Sequence, residues 1–360
     1  MISKESLTPE WLVEVSKKNN KADRILVEKV IRALLLLEGL VASELKFVFK
    51  GGTALMLLLG STRRLSIDID IIASKDQQLE DQFQEFLADQ GFIRFELQER
   101  KANSDIEKAH YKFIYEPVHK SNLEEDYVLL DILFEAPHYA KVIDWPIDSS
   151  FVKQNGEPHM VKVPCHEDIL GDKLTAFAPN TTGIPYEKSG DLKTMEIMKQ
   201  LFDIGSLLDV VQDTSIIAKT FDIFASTEIG YRKCESDVNG VLNDIYDTAL
   251  HITTRGADGK GDFNALNKGI NQVKRFIFSE NYHLDRAITD ASKAAYLATV
   301  LQLKHNKLEK YSNPEDVKNL IIDQSFNSKL NKLKKGNPEA FFYWYQIYLL
   351  RQRQPSNFRQ

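Results

Sequence analysis

FVFKGGTALMLLLGSTRRLSIDID, residues Phe47 to Asp70, is the stretch on which the reading of the chain turns. Lys46 to Lys50 reads as a short strand, and Thr53 to Leu59 as a helix that begins right after a Gly-Gly turn, Gly51-Gly52. SIDIDIIA then reads as a β-branched strand, Ser66 to Ala73. Side chains alternate along a strand, so Asp68 and Asp70 are expected on one face, with Ile67, Ile69 and Ile71 turned to a core. Two carboxylates spaced about 7 Å along a strand repel each other, and a cation relieves that repulsion. Mg²⁺ takes oxygen ligands and is commonly held by one or two carboxylates together with substrate phosphates. Glycines let a backbone approach phosphate closely, and the helix that follows offers amides and the positive end of its dipole. Thr53 adds a hydroxyl there. The segment therefore combines a phosphate cradle with a metal-binding strand.

Working outward, a helical periodicity covers Asp23 to Ser43 and another Gln77 to Asp89. Phe92–Gln98, Ala109–Tyr115 and Tyr127–Phe134 read as further strands. YVLLDILFE places one acid, Asp131, within an otherwise apolar run fit for a buried central strand. Two readings of Asp131 stand open: a strand-edge carboxylate bonded to a cation or amide, or the third acid of a two-metal site with Asp68 and Asp70. The texture changes after Pro164. HEDILGDKLTAFA is helical, PNTTGIPYEKSG is a loop, and helix follows helix from Asp191 with no convincing strand. TTRGADGKGD, Thr253 to Asp262, reads as a mobile connection, and Asn337-Pro338 starts a last helix whose FFYWY aromatics belong to a core. The expected division is 1–165 as a mixed α+β domain and 166–360 as an all-α domain.

At 360 residues, 43% apolar and 27% charged, the composition is that of a soluble two-domain globular protein without repeats. Cys165 and Cys234 stand far apart, in no metal-ligand spacing, which argues against a disulfide framework or zinc site. The polar N-terminal segment lacks a signal-peptide core, and no apolar run is long enough to span a bilayer, so a cytoplasmic location is expected. The eight histidines show no HxxxH pairing, and no GxSxG elbow or Cys/His pair points to covalent catalysis. Net charge is −6, yet residues 301–360 carry 11 Lys/Arg against 5 Asp/Glu. That basic lobe is either a solvated helical face or a track that steers a polyanion.

Gly-Gly followed by Asp-x-Asp and a later strand acid resembles the polymerase β-like nucleotidyltransferase superfamily. The more specific resemblance is to the AbiEii/AbiGii toxin family, nucleotidyltransferase toxins of abortive-infection and toxin–antitoxin systems implicated in phage defence. KGGTAL is matched by Lys50 to Leu55, and R-x-S-x-D-x-D by Arg64, Ser66, Asp68 and Asp70. A later D-K-L-x-A block is matched by Asp172 to Ala176, and K-D-x-x-D by Lys199 to Asp203, with Gln200 where the pattern has its first Asp. The resemblance covers about residues 45–210. It implies a mixed sheet flanked by helices, then a helical domain. It also implies a catalytic set of Asp68, Asp70, Asp131, Lys173 and Asp203, with the three strand acids holding Mg²⁺ as two ions. The nucleotide would be bound by Gly51, Gly52, Thr53, Arg64, Ser66 and Lys173. Lys173 would contact the triphosphate, and Asp203 would orient Lys173 or act on the acceptor. For Arg64, binding phosphate or nucleic acid and simple pairing with Asp68 both remain open.

The implied activity is transfer of a nucleoside monophosphate from an NTP to an acceptor, with tRNA or another RNA favoured, and release of pyrophosphate. A cognate antitoxin is the implied partner. The alternatives are a nucleotidyltransferase for a protein or a small molecule such as an aminoglycoside, and a non-catalytic nucleotide-binding regulator.

Overall fold

The structure, a computed structural model, describes residues 1–60, 63–75, 77–98, 107–119 and 124–353. The chain divides into two compact units, Met1–Cys165 with Arg275–Asn281, and His166–Lys274 with Tyr282–Gln360.

The first unit begins with helix α1 (Pro9–Lys18) and helix α2 (Arg24–Ala42). There follow strand β1 (Phe47–Lys50), helix α3 (Gly51–Leu58), strand β2 (Ile69–Ala73) and helix α4 (Leu79–Phe86). Strands β3 (Arg94–Leu97), β4 (Lys108–Tyr115) and β5 (Asp126–Phe134) complete a mixed sheet of order β1-β2-β5-β4-β3. Only the β2–β5 pair is parallel, and it sets these two strands side by side although 52 residues lie between the end of β2 and the start of β5.

 Those 52 intervening residues, 74–125, carry α4, β3 and β4, so the parallel pairing is a long-range one. In its register Ile72 lies beside Leu133 and Asp70 beside Asp131.

Helix α2 is apolar on nearly every side, which suits a helix buried against the sheet. Its N-cap Asp23 accepts from the Ile25 amide at 2.8 Å. Its few buried polar groups hold loops in place: Glu28 accepts the amides of Val118 and His119 at 2.8 and 2.9 Å, and Arg32 donates to the Gly91 carbonyl at 2.7 Å. An aromatic cluster of Phe83, Phe86, Phe92, Phe95, Tyr111 and Phe113 locks α4 to the outer strands through mostly edge-to-face contacts. Strands β6 (Val142–Pro146) and β7 (Met160–Pro164) form an antiparallel pair that the sequence patterning does not announce. The segment 275–281 also belongs to this unit. Leu65 donates its amide to the Phe276 carbonyl at 2.7 Å, Arg64 bridges Ile277, and Ser279 Oγ donates to the Arg63 carbonyl at 2.8 Å.

In the second unit, helix α5 (His166–Ala176) leads to a hairpin of two-residue strands, β8 (Glu187–Lys188) at the end of the Pro/Gly-rich loop and β9 (Asp191–Leu192) where the sequence reads as helix, so the next helix starts only at Thr194. Next come α6 (Thr194–Leu208), α7 (Thr214–Arg232), α8 (Val238–Thr253), α9 (Phe263–Val273) and α10 (Leu284–Gln302). The chain ends in α11 (Leu333–Gly336) and α12 (Pro338–Gln352), the latter capped by Asn337. Phe341, Phe342, Tyr343 and Trp344 are buried, as their apolar run requires. The loop expected to be a mobile connection is instead tied to α8. His251 Nδ1 meets the Asp258 carbonyl at 3.0 Å, Thr254 Oγ1 accepts the Asp258 amide at 2.9 Å, and Lys260 donates its amide to the Asp247 carbonyl at 3.2 Å. Its glycines serve tight turns, with Gly256 and Gly259 at positive φ. No helix among the described residues is long and apolar enough to cross a membrane.

Candidate active site

Aligned partners in a sheet share a face, and here one row crosses four strands: Lys50 on β1, Asp70 on β2, Asp131 on β5 and His110 on β4. The neighbours of these acids, Ile69, Ile71, Leu130 and Ile132, are buried on the other face. Asp70 and Asp131 are only partly buried, so two register-paired acids stand side by side on adjacent strands of the sheet where water still reaches them. The sequence paired Asp70 first with Asp68. The structure places Asp68 one residue ahead of β2, in the irregular approach to the strand, while the parallel register makes Asp131 the direct neighbour of Asp70.

The Gly-Gly turn packs against this row. Gly51 has φ +81°, and a Cβ there would lie 2.1 Å from Asp70 Oδ2. A Cβ at Gly52 would lie 2.6 Å from Ser66 Oγ and 2.8 Å from an Arg64 guanidinium nitrogen. Glycine is thus needed at 51 for both conformation and space, and at 52 for close approach. Lys50 precedes α3 without a side-chain cap, which leaves the helix start to its backbone amides. Thr53, expected to offer its hydroxyl to a phosphate, is fully buried and donates it to the Asp68 carbonyl at 2.7 Å. Its geometry ties the start of α3 to the approach of β2. Arg64 is buried and donates to the Leu65 carbonyl at 3.2 Å, and Ser66 lies against Gly52.

His110 was invisible to sequence reasoning because no histidine pair stands at metal-ligand spacing. Its Nδ1 lies 2.6 Å from Asp131 Oδ1. The signal that finds it is strand register: AHYKFIY and DYVLLDILF, aligned antiparallel, put His110 opposite Asp131.

Among the described residues, no three His, Cys, Asp or Glu side chains are grouped so as to hold a metal ion by themselves. What the fold preassembles is the Asp70–Asp131 pair, an all-oxygen donor set with the Asp70 carboxylate packed against Gly51. Such a pair fits Mg²⁺, which usually takes the rest of its shell from water and substrate phosphate.

Lys173 and Asp203 lie in the second unit, brought together by the packing of α5 on α6. Lys173 Nζ is 3.0 Å from Asp203 Oδ2 and donates to Gln200 Oε1 at 2.9 Å. Both ionic side chains are buried, at 9% and 2% exposure, so Lys173 is no surface lysine on an amphipathic helix. Gln200 and Asp203 are one turn apart on α6 and face the same ammonium. The loop between the two helices is anchored: Asn180 donates its amide and its side-chain nitrogen to Asp244, as Thr181 donates its hydroxyl, at 2.6 to 2.9 Å.

A family profile described as "Nucleotidyl transferase AbiEii toxin, Type IV TA system" matches residues 35–292. Among solved structures, MenT4, a nucleotidyltransferase toxin from Mycobacterium tuberculosis H37Rv, is similar with a TM-score of 0.45 and 14% identity over 82% of this chain and 99% of that one. An antigenic nucleotidyltransferase-like protein from Paracoccidioides brasiliensis follows with a TM-score of 0.34 and 16% identity, over 55% of this chain and 88% of that one. No curated protein matches the sequence significantly.

Proposed function

The chain belongs to the AbiEii nucleotidyltransferase toxin family of type IV toxin–antitoxin systems, and from that membership we propose that it transfers a nucleoside monophosphate from an NTP to RNA. The observation that carries the proposal is the register pairing of Asp70 with Asp131 against the Gly51 turn. Asp70 and Asp131 are the residues that would hold Mg²⁺, with Asp68, just ahead of β2, the third acid assigned to the same ions. The chemistry a bound Mg²⁺ pair supplies is neutralisation of the triphosphate and acidification of the attacking hydroxyl. Gly51 and Gly52 let the backbone approach the triphosphate, and Arg64 and Ser66 pack closely against Gly52. Asp131, next in line from Asp70, is the carboxylate assigned to the side of the nucleophile. Lys173, matched to the D-K-L-x-A block, is assigned the triphosphate oxygens, with Asp203 and Gln200 fixing its ammonium.

The acceptor is RNA, with tRNA the first to test, on the basic balance of residues 301–360. A cognate antitoxin is the partner that restrains the toxin. Incubation of the full chain with each labelled NTP, Mg²⁺ and total tRNA is expected to move label into RNA with release of pyrophosphate, and Asp70→Asn is expected to abolish the transfer. Label appearing instead in protein or an aminoglycoside would replace the RNA acceptor while keeping the chemistry. Nucleotide binding with no transfer to any acceptor, equal in wild type and Asp70→Asn, would make the protein a nucleotide-binding regulator.

A further inference from the structure

We propose that His110 is a positioning residue for Asp131, one that sets how tightly the carboxylate pair holds a divalent cation. The inference rests on the metal-dependent reading above and goes beyond it by assigning a residue that lies outside the matched motifs. His110 and Asp131 are direct cross-strand partners, and the 2.6 Å between Nδ1 and Oδ1 is the short distance of a charge-assisted hydrogen bond. An ionised carboxylate only accepts, so Nδ1 carries the proton in this bond. Among the described residues His110 is the side chain that meets Asp131, and both remain partly exposed, at 17% and 33%.

A carboxylate on a strand can turn about its last torsion and present either oxygen. With Oδ1 engaged by His110, that rotation is stopped and Oδ2 is left for a cation. The same bond draws charge density from Asp131 and so eases its repulsion with Asp70 while no cation is bound. The backbone brings this about without any special geometry: β4 and β5 are regular antiparallel strands, and their register alone delivers the imidazole to the acid. Outer-sphere partners of metal ligands typically change metal affinity or activity 10- to 100-fold when removed.

The test uses the intact chain and Mn²⁺ as probe, with binding read by electron paramagnetic resonance and transfer read by the labelling assay. His110→Phe keeps a flat ring but lacks the donor, and His110→Asn places an amide N–H near the position of Nδ1. His110→Phe is expected to weaken Mn²⁺ binding about tenfold and to raise the half-saturating Mg²⁺ for transfer by a similar factor, with kcat recovering at high Mg²⁺. His110→Asn is expected to restore most of both, and the thermal midpoints of the two variants are expected to agree. If His110→Phe matches wild type, or if His110→Asn is as defective as His110→Phe, the inference is overturned, the second result leaving His110 with a packing role. Asp70→Asn is the control for the underlying reading. Loss of Mn²⁺ binding in Asp70→Asn with no effect of His110→Phe brings down the His110 inference alone, whereas a wild type that binds no Mn²⁺ brings down both.

Discussion

Helix α6 receives two buried lysines, and their surroundings differ in how many carboxylates each ammonium meets. Lys293, from α10, lies 2.7 Å from Asp209 and 2.9 Å from Glu339 and donates to the Gly205 carbonyl at 3.3 Å. Lys173, from α5, meets one carboxylate, Asp203, and one neutral amide, Gln200. Burial works against the charge of Lys293, but Asp209 and Glu339 outweigh it and hold its ammonium above the ordinary lysine value. A lysine with two carboxylates has its charge more than matched locally, which is the arrangement of a structural tie. A lysine with one carboxylate and an amide is held as firmly in space, yet its pair sums to neutral and leaves the N–H donors attractive to a further anion. The difference suggests that one helix carries both a fastening lysine and a working one, and that the side chain at position 200 separates the two.

The largest expected effect is on the working lysine. Removing both ions together, as Lys173→Gln with Asp203→Asn, avoids stranding a buried charge and should leave the fold intact. Nucleotidyl transfer should fall about 10²- to 10³-fold, the usual cost of a lost oxyanion donor. Retained transfer in a folded double variant would end the distinction between the two lysines. Lys293→Met should do the reverse. Its carboxylate partners keep some contact with water, so the expected loss is about 3 kcal/mol, at the low end for a broken buried pair. For a unit of this size that lowers the thermal midpoint by roughly 6–12 °C, while transfer measured well below the midpoint persists. Because the folded pKa of Lys293 is raised, its contribution is fully present below the unfolded value near 10.4 and is lost only in stronger alkali. A thermal midpoint of Lys293→Met that converges on wild type between pH 6 and 9 would contradict that assignment.

The same regions differ in how much of them the sequence alone makes legible. The elements around Phe47–Asp70 were legible because periodicity switches from 2 to 3.6 and back within 24 residues, with glycines as punctuation. Lys173, Gln200 and Asp203 were legible only as a motif. Their spacing alone is equally that of a solvated helix face, and it took the packing of α5 on α6 to bury them around one ammonium. Register was beyond reach. Which residue of β4 faces Asp131 depends on a pairing that a one-residue slip would reverse, so His110 read as one scattered histidine among eight. The return of Arg275–Asn281 to the first unit was hidden for a related reason. That segment has no motif of its own, and it is fixed by hydrogen bonds to Arg63 and Leu65, more than 200 residues away in sequence.

The smallest expected effect is the most direct probe of the comparison. Gln200→Glu changes no more than an amide into a carboxylate at nearly constant volume, and it converts the Lys173 environment into the kind that Lys293 has. A second negative charge 2.9 Å from Nζ strengthens the ion pair, so stability should hold or rise slightly. It also adds repulsion toward a triphosphate and competes for the ammonium's donors. The expected result is an apparent KM for NTP raised about tenfold, equivalent to about 1.4 kcal/mol, with little change in kcat at saturating NTP. A fall in kcat at unchanged KM would mean instead that Lys173 acts only in the transition state, with Gln200 tuning that step. No change in either would mean that position 200 is neutral and that the two lysines differ for some reason other than their count of carboxylates.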